Sequence, residues 1–102
     1  MRKNDFKEWL LTHVHTKPAS DCVSRCGTVE AALNVDLDEE YARDQCMKVI
    51  NKMQYTAKDE RENKKAPEGF HFRENAKIRY RLTDLRSAVK KYVCFCNENI
   101  KK

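Results

Sequence analysis

The sequence predicts an all-α fold: a single domain, a bundle of four main helices with a long C-terminal helix. Three observations predict it. The chain has 102 residues, enough for one domain and too few for two. It has only two Gly and two Pro, too few for the many turns of a sandwich or barrel. Near its end, Ile78, Leu82, Leu85, Val89, Tyr92 and Cys96 recur by four and three, the period of an amphipathic helix.

Each element has a local reason. A first helix is expected from an Asn4 N-cap, with Asp5 and Glu8 at its positive end. Phe6, Trp9 and Leu10, continued by His13 or Val14, form its apolar stripe. It should stop near His15-Thr16, because Lys17 precedes Pro18 and is pushed out of helical geometry. Pro18 suits the first turn of a second helix. Ala19, Cys22, Val23, Cys26, Val29 and Leu33 form its buried face, with Ser20, Ser24 and Thr28 opposite and Asn34 as its stop. Gly27 weakens it by about 1 kcal/mol relative to Ala and would allow a close helix crossing.

A third helix is carried by Leu37, Tyr41, Cys46, Val49, Ile50 and Met53, capped by Asp36 or Asp38. Residues 57–72 read as a frayed helix end and an exposed polar loop, tucked back by Phe70 and Phe72. The last helix runs from Glu74 or Asn75 to about Asn97. On it Arg79, Thr83, Arg86 and Lys90 share one flank of the apolar seam, while Lys77, Asp84 and Lys91 lie on the other. The expected core holds Trp9, Leu10, Val23, Val29, Leu33, Ile50, Met53, Ile78, Leu82, Leu85, Val89 and Tyr92.

Charge is segregated along the chain. The net charge is +5. Residues 71–102 carry nine basic and three acidic side chains, whereas residues 18–57 carry four and seven. A local excess of that size is a footprint for a polyanion, with a solvated helix face as the bland alternative. Asp5 and Glu8 interrupt any signal peptide. The longest apolar run, Tyr92 to Cys96, is far short of the ~20 residues a membrane span needs. The expectation is a cytoplasmic protein without membrane contact, its five cysteines free thiols.

Little points to chemistry. Cys22 and Cys26 are spaced i and i+4, but no C-x-x-C pair exists and both fall on an apolar face. No Gly-rich loop is present to hold a phosphate or form an oxyanion hole. No catalytic residue, metal or cofactor is therefore expected. The candidate binding residues are Lys17, Ser20, Ser24 and Arg25 on the second helix and Arg79, Arg86 and Lys90 on the last. Hydroxyls and cations of this kind suit phosphate contacts better than base reading. Tyr80 lies on the outward face of the last helix, where it could stack or bond a phosphate.

Two stretches resemble a known family. Thr16-Lys17-Pro18-Ala19-Ser20-Asp21-Cys22-Val23-Ser24-Arg25 is similar to the opening of a helix in the N-terminal, SAM-like core-binding domain of tyrosine recombinases (phage integrases). Leu85-Arg86-Ser87-Ala88-Val89-Lys90-Lys91-Tyr92-Val93-Cys94-Phe95 resembles that domain's final helix, and Phe6 to Leu10 its first. The resemblance implies four helices that clamp duplex DNA largely through its backbone. It would set Lys17, Ser20, Ser24 and Arg25 on one contact surface and Arg86 and Lys90 on another. Cys22 stands where the family often has Tyr, and the 57–72 segment is longer and more polar than usual. The family's catalytic half has no counterpart: His71-Phe72-Arg73 lacks the spacing of its His-x-x-Arg motif.

The expected function is therefore a DNA-binding module with no catalysis of its own, acting alone as a small phage or mobile-element protein or as part of a longer enzyme. The alternative is a protein-interaction adaptor or an inhibitor of a host protein. That reading includes a homodimer formed through the last helix, should its apolar seam exceed what one chain can cover.

Overall fold

A computed structural model describes residues 1–72 and 77–100. Those residues form six helical segments and no strand: α1 (Lys3–Leu11), α2 (Thr16–Leu33), α3 (Leu37–Asp44), α4 (Met47–Lys52), α5 (Ala57–Arg61) and α6 (Ile78–Ile100). The expected start of the last helix, at Glu74 or Asn75, lies outside the described residues. α6 is the spine. It packs most extensively on α2 and also touches α1, α3 and α5, while α1 lies against α2. No described helix is long and apolar enough to cross a membrane.

The seam of α6 closes the core. Leu82, Leu85, Val89, Tyr92 and Cys96 are buried within the chain itself, joined by Ala88 and Phe95 on the flank facing α1 and α2. At the α1 end the core is aromatic. Phe6 meets Tyr92 edge-on at 4.9 Å and Phe95 at 5.5 Å between ring centres, spacings at which ring pairs attract beyond simple burial. Of the expected core, Trp9, Leu33, Ile50 and Ile78 are only partly buried, whereas Phe6, Leu37 and Cys46 are fully enclosed. All five cysteines are free thiols, and four are buried; Cys94 alone is exposed.

Three boundaries differ from the sequence reading. α1 begins at Lys3, not after an Asn4 cap, and has no side-chain N-cap. Its entry is held instead by the chain terminus. The Met1 ammonium bonds Glu30 at 3.0 Å and Asp36 at 2.6 Å. The Arg2 N–H donates to the Tyr92 hydroxyl at 2.9 Å, and that hydroxyl donates to Asp38. α1 ends at Leu11 because the chain tightens there: Thr12 N–H reaches the Trp9 carbonyl at 3.1 Å and its hydroxyl reaches the same oxygen at 2.7 Å. α2 then starts at Thr16, so Lys17 is helical despite Pro18. The proline sits in the first turn, where it removes no intrahelical bond.

The expected third helix is two helices. Gln45 and Cys46 both adopt left-handed backbone angles, φ 58° and 64°. The Cys46 N–H reaches back to the Glu40 carbonyl at 3.2 Å, closing α3 in the manner of a Schellman turn. The reason is one of phase. At about 100° per residue an unbroken helix would set Leu37 opposite Cys46 and Met53. The left-handed pair rotates α4 so that all three are buried. Asn34 (φ 54°) ends α2 and Asp36 caps α3, accepting from Asp38 N–H at 3.0 Å, both as read from sequence.

The 57–72 segment is more ordered than a polar loop. Thr56 and Asp59 form a reciprocal capping box that starts α5. Lys64 pairs with Asp59 at 3.3 Å, and the Tyr55 hydroxyl donates to the Lys64 carbonyl at 2.5 Å. A β-turn follows, closed by Phe70 N–H on the Pro67 carbonyl at 3.1 Å. Gly69 takes φ +92° in it, and a Cβ there would collide with the Ala32 carbonyl of α2. The turn thereby seats Phe70 in the core, with Phe72 stacked on it at 6.2 Å.

Two outcomes follow. Gly69→Ala should lose about 1–3 kcal/mol of stability. Gly27→Ala should gain about 0.5–1 kcal/mol, because beyond its chain neighbours and its own helix backbone nothing lies within 4 Å of the added methyl. Urea unfolding of both variants checks the pair. The second outcome concerns pH. Burial opposes the Met1 ammonium charge, but its bonds to Asp36 and Glu30 win, holding its pKa above the ordinary 8.0. The Asp36 carboxyl, bonded first by that ammonium and then by Asp38 N–H, is held below its ordinary 3.8. The ammonium's contribution is complete below about pH 8 and lost as pH rises through its folded value. That of Asp36 is complete above about pH 4 and lost as pH falls through its own. The melting temperature should therefore decline above pH 8, and N-terminal acetylation should flatten that decline.

Candidate nucleic-acid interface

α1 and α2 enclose a groove of about 690 Å³. Lys3 and Lys7, one helical turn apart, come from α1; Ser20, Ser24 and Thr28 come from α2. Gly27 forms part of its floor and leaves it open, with no neighbour near its missing side chain. No carboxylate lines the groove. Thr28 donates its hydroxyl to the Ser24 carbonyl at 3.1 Å. Its oxygen keeps acceptor capacity, and the two serines can donate outward. Lys17 is exposed one turn before Ser20 and shares that flank of α2.

The seven candidate residues do not converge on one surface. Ser20 and Ser24 line the α1 groove, and Lys17 is exposed on the same flank of α2. Arg25 lies on the other flank of α2, in a shallow cleft against α6 lined also by Asp21, Cys22, Asp84, Ser87 and Lys91. Charge there is mixed. A hydrogen bond with Cys26 and the cations of Lys91 and Arg25 hold the Cys22 thiol below its usual range against the effect of burial, whereas Cys26 is pushed up by that same bond and by its burial.

Arg79, Arg86 and Lys90 share one flank of α6, as their spacing predicts, but that flank faces α4 and α5. The Arg79 guanidinium pairs with Glu60 at 2.9 Å. Arg86 donates to the Met53 carbonyl at 2.5 Å and to the Thr83 hydroxyl at 3.1 Å. Both arginines are partly buried, and of the three only Lys90 is exposed. Sequence reasoning missed Lys3 and Lys7. Their i, i+4 spacing on the flank of α1 away from Asp5 and Glu8 was the available signal.

The opposite side of α1 has the opposite sign. Asp5, Glu8, Trp9, His13, Phe95 and Glu98 line a cleft of about 530 Å³ between α1 and α6. The Trp9 indole N–H donates to Glu98, and the His13 ring lies 4.4 Å from the indole. α1 thus separates a basic, hydroxyl-lined groove from an acidic, aromatic one. Among the described residues no group of three His, Cys, Asp or Glu side chains converges to hold a metal.

No protein-family model, curated protein or solved structure matches the chain.

The arginine contacts separate structural from solvated cations. Arg86→Ala should cost about 1–2 kcal/mol, because it strips the charged donor from the Met53 carbonyl. Lys90→Ala should stay within about 0.5 kcal/mol of the parent. Equilibrium unfolding of the two variants checks this.

Proposed function

We propose that the chain is a DNA-binding module that holds the phosphate backbone of a duplex in the α1/α2 groove, with no catalysis of its own. The observation that carries this reading is the groove's lining: two lysines and three hydroxyls without a single carboxylate, in a chain where acidic side chains number 16. Lysines supply charge without base preference, and the Ser20 and Ser24 hydroxyls can donate to phosphate oxygens, whereas the Thr28 hydroxyl is spent on the Ser24 carbonyl. The resemblance to the recombinase core-binding domain supports the same reading for Lys17, Ser20 and Ser24, and a four-helix clamp is part of the proposal. Arg79 and Arg86 have a smaller share in it than their place on the basic flank of α6 suggests, since both are engaged within the chain.

A second reading rests on the cleft between α1 and α6. Its three carboxylates around Trp9 and Phe95 favour a protein-interaction adaptor that receives a basic segment of a partner.

Fluorescence anisotropy of a labelled random-sequence duplex of about 25 bp tests the proposal. Three lysine–phosphate contacts give a slope of about −2.7 in log affinity against log salt, a loss of about 40-fold between 50 and 200 mM. Replacing Lys3, Lys7 and Lys17 together by Glu should abolish binding. Replacing Arg79, Arg86 and Lys90 should weaken it less. Absence of binding by the parent at 50 mM salt would overturn the reading in favour of the adaptor.

A further inference from the structure

The first turn of α6 carries a second surface of the same sign and different chemistry. Tyr80 is 53% exposed on the outward side of the helix, where a charged residue would serve solubility and helix propensity better. A lone exposed ring needs no explanation, but this one is not alone. The Lys77 ammonium lies 5.5 Å from its ring centre and the Arg79 guanidinium 5.1 Å. Arg81, the next residue, reaches over the Phe72 ring at 5.9 Å. Phe72 is anchored from below by its stack on buried Phe70. Tyr80 with Lys77 and Arg79, and Phe72 with Arg81, thus form two ring–cation groups at the start of α6, and both rings are held: one by the rigid helix, one by the core.

We propose that this patch binds unpaired nucleotides, with a base stacked on Tyr80 and its phosphates met by Lys77 and Arg81. The inference rests on the nucleic-acid reading above and adds strand state to it. A duplex hides its base faces, so a stacking ring gains nothing from paired DNA beyond its ends, whereas every unpaired base offers a face. The contact of Tyr80 with Lys77 is exchangeable. An exposed cation–π pair is weaker than a base stacked on the same ring, and the lysine's long stem lets its ammonium follow the phosphate instead. Arg79 stays in place through Glu60 at 2.9 Å and keeps the ring's surroundings fixed.

The test compares two labelled probes, single-stranded dT12 and the 25-bp duplex, against the full chain and two variants. Tyr80→Ala should weaken dT12 binding about tenfold or more, while duplex affinity stays within about twofold. Tyr80→Phe, which keeps the stacking face, should bind both probes like the parent. Circular dichroism confirms that the exposed substitutions leave the fold intact. The stacking proposal alone is overturned if the parent binds duplex but not dT12. It is equally overturned if Tyr80→Ala leaves dT12 affinity unchanged, or weakens both probes alike as a mere phosphate contact would. A parent that binds neither probe overturns the phosphate groove as well.

Discussion

The hydroxyl of Tyr92 joins three helices at one point. It accepts the Arg2 N–H at the entry to α1 and donates to Asp38 in the first turn of α3, from its own place in the middle of α6. The Met1 ammonium, bridging Glu30 of α2 and Asp36 before α3, completes the junction. Burial and the Asp38 carboxylate keep the Tyr92 phenol protonated far above its ordinary range, so it remains a donor throughout the working pH of a protein. Two residues with no helical structure of their own thus set the position of α1. Through α1 they set both the basic groove on one side of it and the acidic cleft on the other.

That dependence explains what could be read from the sequence and what could not. Local chemistry was legible. Asn34 stops α2 because it tolerates a left-handed backbone, Asp36 caps α3 because its carboxylate reaches Asp38 N–H, and the α6 seam repeats with the period of a helix. The break at Gln45-Cys46 was legible in principle. The angular positions of Leu37 and Cys46 conflict on any straight helix, whereas neither residue is a habitual helix breaker. The start of α1 was hidden, because its entry is held by residues 29 and 35 positions away in sequence.

The candidate site divides in the same way. Ser20 and Ser24 line the groove, with Lys17 on the same flank of α2, because a helical projection places the three together, which needs no tertiary knowledge. The Arg79–Arg86–Lys90 stripe is equally real as a stripe. What it faces was not readable, since Glu60 and the Met53 carbonyl reach it only through the capping box of α5 and the turn of α4. A basic stripe read from periodicity reports where charge lies on a helix. It does not report whether the rest of the chain has already neutralised it.

The distribution of thiols has a practical consequence. Native molecules offer one accessible sulfur, at Cys94, while the other four are enclosed among α2, α3, α4 and α6. Burial pushes the Cys46 thiol up to about 12, which suppresses its thiolate as well as its access. An alkylating reagent therefore marks a folded chain once and an opened chain five times. The mass distribution after a timed pulse counts, molecule by molecule, how many chains have passed through the unfolded state.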